Sequence, residues 1–428
     1  MFIESIAIEN IRSLSTFEAN FVTEDDKQDV RQWSLFVGEN GTGKSTVLKA
    51  VGLLLAGSDS ITHLIGNPSS WVRRGTEQGR IAARLRTSDW EPRDIELVIK
   101  ADDGPTSLIR RNLDGLAPLD DALEHADQNY FAVGYGPYRR LNTDPGFASS
   151  SQRIPVRAHG LATLFDTNIA VHPIQEWAMD LDYRRGEDGL DVVRRSINTL
   201  MPDVGFLGID KDKKTLMFQT LDGEMPLEQL SDGYQNVAAW IGDLLYRVTD
   251  AFSHHNNPLN ARGILLIDEI DAHLHPSWQR RLRQFLSNTL PNFQILATTH
   301  SALTLQQAHE GEAMVLTRGE ENRVAATTFP GDPSKLRLHQ IYDLGFKISS
   351  LDSWEIEKSK DIYRELSGKA RSELSDSEAK ELDQAEEMLE VLPSSRKRTD
   401  ALGNEVLQEF YDKLDATTSQ IERRLREE

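Results

Sequence analysis

Cysteine is absent from all 428 residues, so the fold has no disulfide, no thiolate metal ligand and no cysteine nucleophile. Also missing is any run of about 18 apolar residues, which removes a membrane-spanning helix from expectation. Positive charge is scarce: 48 Lys and Arg against 68 Asp and Glu leave a net charge of −20. That balance disfavours a protein that coats nucleic acid nonspecifically, while leaving a local basic face open. The first twelve residues alternate apolar and polar types, without the basic region and apolar block of a secretory signal. A cytosolic chain with no membrane partner is therefore expected. What is present, 39% hydrophobic and 27% charged residues, is ordinary globular material, long enough for one large or two ordinary domains.

Along the chain, Met1 to Asn20 reads as strands from the spacing of Ile3, Ile6, Ile8 and Ile11. Trp33 to Val37 is a second apolar strand running into a glycine-rich turn, and Val47, Leu48, Val51, Leu54 and Leu55 then recur at helical spacing. From Ile81 to Arg111 the alternation predicts antiparallel strands, with another at Phe131 to Tyr135. Asn142 to Arg157 has the composition of a loop. A polar helix is predicted over Ile174 to Leu200, followed by a hairpin over Lys211 to Glu224. The helix Gly233 to Ala251, strand Gly263 to Ile267, helix Ser277 to Leu290 and strand Gln294 to Thr298 then alternate as βα units, implying a second half of one sheet. From about Leu344 the chain turns into charge-dense helical segments. Its last helix carries Leu407, Phe410, Leu414, Ile421 and Leu425 near heptad spacing, as a helix packed on the parent domain or docking a partner chain would.

Between the second strand and its helix lies Gly38-Glu39-Asn40-Gly41-Thr42-Gly43-Lys44-Ser45-Thr46, which contains the pattern G-x-x-x-x-G-K-[ST] in the context it requires. Backbone N–H groups of such a loop wrap phosphates, Lys44 reaches the β- and γ-phosphates, and Ser45 places its hydroxyl on Mg²⁺. The strand Ile264 to Ile267 ends in Asp268-Glu269, where open α/β sheets place ligands. Asp268 suits Mg²⁺, and Glu269 suits a water to be oriented or deprotonated. Leu230-Ser231-Asp232-Gly233-Tyr234-Gln235 opens a helix about 35 residues earlier. Alone it is an N-cap, but Ser231, Gly233 and the helix N-terminus are also what would bind the γ-phosphate of an ATP held by another subunit. A third strand ends in Thr299-His300-Ser301, and an imidazole there can contact a γ-phosphate and sense its loss.

Together with Ile270-Asp271-Ala272-His273-Leu274-His275-Pro276 after the acid pair, these motifs resemble the ATP-binding-cassette (ABC) ATPases of the SMC, RecF and overcoming-lysogenization-defect branch. The likeness covers roughly Met1 to Leu344. It implies an α/β ABC-type head with a mixed central sheet, an antiparallel β flank, a helical insert and a helical C-terminal tail. The corresponding divisions are 1–155, 156–205, 206–345 and 346–428. The opening Ile8-Glu9-Asn10-Ile11-Arg12-Ser13-Leu14 is similar to that branch's first strand, whose arginine lies near the nucleotide phosphates; Arg12 takes that role by analogy. Asp232 stands where many relatives have glycine. The Mg²⁺-sensing glutamine is either Gln128 or replaced by the run Tyr135-Gly136-Pro137-Tyr138-Arg139-Arg140, whose arginines either reach a phosphate or nucleic acid or are solvated at a turn.

The resemblance implies an ATPase whose two copies close around two ATP molecules with Mg²⁺. Lys44, Ser45, Asp268, Glu269 and His300 would come from one subunit, and Ser231 and Gly233 from the other. The heptad-like tail permits a higher oligomer. Only about 187 residues separate Lys44 from Ser231, too few for a long arm, and the 83 residues from Phe346 show no Asp-x-Asp after an apolar strand. Such short-armed ATPases resemble the Septu-like members of anti-phage defence modules, which work with a separate nuclease. The expectation is thus a switch that controls a partner effector. A RecF-like repair ATPase binding DNA directly is the alternative, favoured by the arginine pairs at 73–74, 110–111, 139–140, 184–185 and 194–195 and disfavoured by the net charge. A transporter motor and a nonhydrolysing scaffold fit less well, the first because of the run after the acid pair and the second because Glu269 is intact.

Overall fold

The computed structural model describes residues 1–23, 30–87, 91–126, 130–139, 155–200, 204–255, 257–319, 324–348 and 350–390. Its first unit, Met1–Ile348, begins with β1 (Phe2–Ile11), β2 (Leu14–Asn20), β3 (Trp33–Gly38), α1 (Lys44–Leu55) and α2 (Ser58–Leu64). Next come β4 (Gln78–Arg86), β5 (Pro92–Lys100), α3 (Pro105–Ala126), β6 (Ala132–Tyr135), α4 (Val156–Phe165), α5 (Ile174–Arg185) and α6 (Glu187–Leu200). The hairpins β7 (Gly205–Asp210), β8 (Thr215–Thr220) and β9 (Gly223–Pro226) lead into α7 (Asp232–Ala251). The unit closes with β10 (Gly263–Ile267), α8 (Pro276–Thr289), β11 (Phe293–Thr298), α9 (Ala302–Leu305), β12 (Ala313–Arg318), β13 (Val324–Thr328) and α10 (Leu338–Phe346).

The central sheet is mixed, in the order β13-β12-β3-β11-β10-β6, with only the β12–β13 pair antiparallel. Because successive strand residues face opposite sides, β3 sends Leu35 and Val37 into one core and Phe36 into the other. Likewise β10 divides Leu265 and Ile267 from Ile264 and Leu266. The first core is closed by α5 to α8 and the antiparallel sheet β7-β8-β9; the second by α1, α3, α4 and the antiparallel sheet β2-β1-β4-β5. A buried amide joins the two larger sheets: Gln294 in β11 accepts from the Ile3 N–H at 2.6 Å and donates to the Ile3 carbonyl at 2.9 Å.

The antiparallel flank stops earlier than the alternation suggests. Residues from Pro105 onward form α3, so Arg110 and Arg111 lie on a helix. Gly115 and Pro118 inside it are residues that usually interrupt helices, which hides the helical spacing of buried Leu108, Asn112, Leu116 and Leu119. Here they permit close packing instead. Asn112 accepts from the Val98 N–H at 2.7 Å and donates to the Val98 carbonyl at 2.9 Å, satisfying a strand edge. A Cβ at Gly115 would stand 2.5 Å from the Glu96 carbonyl oxygen. Gly115→Ala is therefore expected to destabilise the protein by about 1–3 kcal/mol by forcing α3 off β5, read as a lower denaturant midpoint. The predicted helix over 174–200 is two helices, broken at Gly186 with φ 57°.

The second unit, Ser349–Glu428, contains α11 (Trp354–Leu366) and α12 (Asp376–Glu390). Ser353 caps α11 by accepting from the Ile356 N–H, and Leu366, Leu382 and Ala385 are buried. The heptad-like positions Leu407 to Leu425 lie outside the described residues, as do Gln128, Arg140 and most of the predicted loop after Asn142. Among the described residues no helix is long and apolar enough to cross a membrane.

Candidate nucleotide site

The glycine-rich loop leaves β3 at its C-terminal end and feeds α1. Two of its glycines are dictated by space and by backbone conformation. Gly38 has φ 140° and a Cβ there would lie 2.2 Å from the Leu316 carbonyl oxygen; Gly43 has φ 96° and its Cβ would collide with Leu14 and Ser13. Lys44, the first residue of α1, is buried and folds back into the loop. Its Nζ donates to the carbonyls of Gly38 at 2.9 Å and Glu39 at 2.8 Å. Burial pulls its pKa down to about 8, against the opposing attraction of Asp268, Glu269 and Glu39.

Parallel register brings the acid pair to this loop. β11 pairs with both β10 and β3, matching Ala297 to Ile267 and Thr298 to Phe36, so the residues after each strand emerge at one edge. Asp268 is buried, and its Oδ1 accepts from Ser45 Oγ at 2.9 Å and from Thr298 Oγ1 at 2.7 Å. Thr298 Oγ1 in turn accepts from the Glu269 N–H at 2.7 Å. Glu269 sits at a positive φ of 49°, a left-handed geometry that turns the chain sharply after the strand. One step on, Thr299 donates to Asp271 at 2.5 Å, and burial raises the Asp271 pKa despite that bond.

Lys44, Ser45, Asp268, Glu269 and Thr298 line a cavity of about 270 Å³ that also takes in Ser13, Asn40, Gly41, Gly43, Thr46 and His300. Partial burial, and then the charge of Lys44, lower the His300 pKa. Thr42 is buried within the loop, its hydroxyl donating to the Glu39 carbonyl at 2.9 Å. The Arg12 guanidinium is stacked on Trp71 at 4.2 Å, with Nε donating to the Ser70 carbonyl. Neither Thr42 nor Arg12 lines the cavity. Among the described residues no group of three or more His, Cys, Asp and Glu could hold a metal by itself. The paired oxygens of Ser45 and Asp268 nevertheless fit Mg²⁺ arriving with phosphates, because that ion takes one or two protein oxygens and fills its octahedron from phosphate and water.

Ser231 and Gly233 are not part of this cavity. Ser231 is exposed at the N-cap of α7 and its side chain makes no capping bond. A Cβ at Gly233 would lie 3.5 Å from the His273 carbonyl oxygen, and Tyr234 meets Trp278 edge-on at 4.6 Å. The signature thus rests on the segment that follows the acid pair. Sequence reasoning missed Thr298, Ser13, and Arg318, which donates from β12 to the Gly41 carbonyl. It also left Arg139 between solvent and phosphate; the side chain is instead buried and turned inward. Only the position of Thr298, directly before Thr299-His300, carried a signal.

The low Lys44 pKa has a consequence for binding. Below about pH 8 the ammonium is present in the free protein, and above it the free protein holds a neutral amine. A phosphate partner raises the pKa of the bound state, so nucleotide affinity should fall by up to about tenfold per pH unit above 8. Titrating a fluorescent ATP analogue from pH 7 to 9.5 measures it, and a flat profile would contradict it.

A family model described as "AAA domain, putative AbiEii toxin, Type IV TA system" matches residues 72–306, and one described as "AAA ATPase domain" matches residues 1–110. The Septu protein PtuA of Bacillus mycoides is 28% identical over 332 residues, covering 76% of this chain and 42% of that protein. The Septu protein PtuA of Bacillus thuringiensis is 25% identical over 344 residues, covering 77% of this chain and 79% of the other. The chain therefore spans less than half the length of the Bacillus mycoides relative. The SMC head domain from Thermotoga maritima aligns with 77% of this chain and 99% of its own length, at 12% identity and a TM-score of 0.39. With more than half of its length matched by the first model, this chain belongs to the AAA-domain family that the model describes.

Proposed function

We propose that this chain is an ATP-hydrolysing switch of ABC type that dimerises face to face around two ATP molecules and controls a separate effector, a nuclease, in anti-phage defence. The observation that carries the reading is the division of the site. Phosphate loop, acid pair and His300 share one cavity, while the signature residues, exposed Ser231 and half-buried Gly233, stand outside it. A γ-phosphate in the cavity of one subunit is then completed by the Ser231 hydroxyl and Gly233 N–H of the other.

Asn40, Gly41 and Gly43 to Thr46 wrap the phosphates with backbone N–H groups, and Lys44 exchanges its two carbonyl partners for phosphate oxygens. Ser45 and Asp268 would hold Mg²⁺, which would neutralise the charge that develops on the transferred phosphoryl. Glu269, aimed by its left-handed turn, orients a water and takes its proton. His300 contacts the γ-phosphate and registers its departure. Arg12, held on Trp71 outside the cavity, adds positive potential. Hydrolysis then opens the dimer.

Two complementary variants test the composite site. Lys44→Ala and Ser231→Arg should each be inactive, whereas mixing them should restore turnover at about a quarter of the sites, since half the dimers are mixed and carry one intact site of two. No recovery on mixing would overturn the sandwich. The control of an effector is supported by the Septu names of the relatives above. It is tested by purifying the chain from cells carrying its native gene neighbourhood and assaying the co-purified nuclease with and without ATP. Of the arginine pairs that would favour direct DNA binding, Arg111, Arg184 and Arg194 are each engaged by an aspartate.

A further inference from the structure

Arg139 lies four residues beyond the end of β6, is 5% exposed, and makes contacts in three directions. Its Nε donates to the Gly136 carbonyl at 3.0 Å, closing the turn from which it projects. A single Nη2 donates both to the Asp268 carbonyl at 2.5 Å and to the Glu269 carbonyl at 2.7 Å. The face of the guanidinium lies over Trp240, 5.1 Å from the ring centroid, within the range of a cation–π contact. Trp240 belongs to α7, the helix whose N-cap is Ser231.

The surrounding residues make this link stiff. Tyr135, at the end of β6, packs on Trp240 with ring centroids 5.9 Å apart and donates its hydroxyl to Asp243, one turn further along α7, at 2.6 Å. Gly136 is pressed against α4, where a Cβ would stand 2.4 Å from the Thr163 carbonyl oxygen. A buried cation thus joins the backbone of both acids to the helix that presents the signature. No side-chain bond is involved on the acids' side, so a displacement of α7 is transmitted to the peptide units that aim Asp268 and Glu269.

We propose that Arg139 is a positioning residue through which α7 sets the backbone of Asp268 and Glu269, so that nucleotide engaged by Ser231 in the opposite site is registered at this subunit's own acid pair. The link to the opposite site rests on the sandwich reading above; the positioning of the acid pair does not.

The test uses Arg139→Lys in the full chain. An ammonium can satisfy one or both carbonyls but cannot also lie flat on Trp240 and bond Gly136. The expected result is that turnover of the parent is cooperative in ATP concentration, and that Arg139→Lys keeps ATP affinity within about threefold and KM unchanged, lowers kcat by at least about tenfold and abolishes that cooperativity. A merely structural arginine would instead lower thermal stability and ATP affinity together with the rate. Turnover within about twofold of the parent and unchanged cooperativity would overturn the proposal. If Arg139→Lys does not fold, Trp240→Leu serves, since it leaves the three donor bonds in place and removes the ring. Cooperativity retained in that variant would overturn the proposal equally. A chain that fails the Lys44→Ala and Ser231→Arg mixing test but is slowed by Arg139→Lys at unchanged ATP affinity keeps Arg139 as the positioner of its own acids and loses the link to the opposite site.

Discussion

Glu269→Gln should lower ATP turnover by about 10²–10⁴-fold, the usual contribution of a general base, while ATP still binds and the dimer persists. The amide is isosteric with the carboxylate, and the elements that aim residue 269 are backbone contacts that the substitution leaves alone. The N–H donates to Thr298 Oγ1 and the carbonyl accepts from Arg139. Lys44, Ser45 and Asp268 keep their partners. On the proposed mechanism the substitution removes the acceptor for the water's proton, together with one negative charge lining the cavity. Phosphate release measures the first effect and size-exclusion chromatography with saturating ATP the second. A variant that hydrolyses ATP at near the parent rate would remove Glu269 from the chemistry. One that is slow but monomeric with ATP would leave the acid in place and contradict closure around the nucleotide.

Asp243→Ala is expected to cost about 3–5 kcal/mol of stability, the range for removing one partner of a buried ion pair. The Asp243 side chain is fully buried, and that of Arg247 is 11% exposed. The carboxylate accepts three bonds: from Tyr135 Oη at 2.6 Å, from the His172 N–H at 2.7 Å and from Arg247 Nε at 2.6 Å. Arg247 also meets His159 Nδ1 at 3.1 Å, and burial followed by that positive charge lowers the His159 pKa. Truncation leaves a guanidinium without its counter-charge beside an imidazole that resists protonation. Tyr135→Phe, in contrast, removes one of three donors and should cost only about 1 kcal/mol. Denaturant midpoints of the two variants measured side by side decide the point. Equal, small losses would mean that the carboxylate is dispensable to the packing of α7 on β6.

The parts of the site that were legible in the sequence are those whose chemistry is local. The loop Gly38 to Ser45 carries its glycines, lysine and hydroxyl within a few residues, flanked by an apolar strand and an amphipathic helix. Asp268-Glu269 and His300 each follow a short run of buried apolar residues, and a parallel strand of that kind ends where ligands bind. The helices and strands from Gly233 to Thr298 follow the same periodicity, and the structure places them within a residue or two of their expected bounds. Where local signals conflicted, the reading failed. In α3, Gly115 and Pro118 argue against a helix when taken by themselves, and only the close approach to Glu96 explains the glycine. Gly186 broke a helix that charge pattern alone ran through.

By itself, then, the sequence determined the phosphate-loop motif, the α/β class and the family, because backbone conformation, side-chain type and order along the chain suffice for each. Tertiary structure alone decided which distant residues serve the acid pair. Thr298 reaches Asp268 and Glu269 through the parallel register of β11 on β10, a pairing between segments about 30 residues apart. Arg139 reaches the same two residues across about 130 positions, and its burial, not its type, separates it from the solvated arginines elsewhere. The physical reason is common to both cases. Desolvation and hydrogen-bond direction depend on what the fold packs around a group, and neither is written in the residues that flank it.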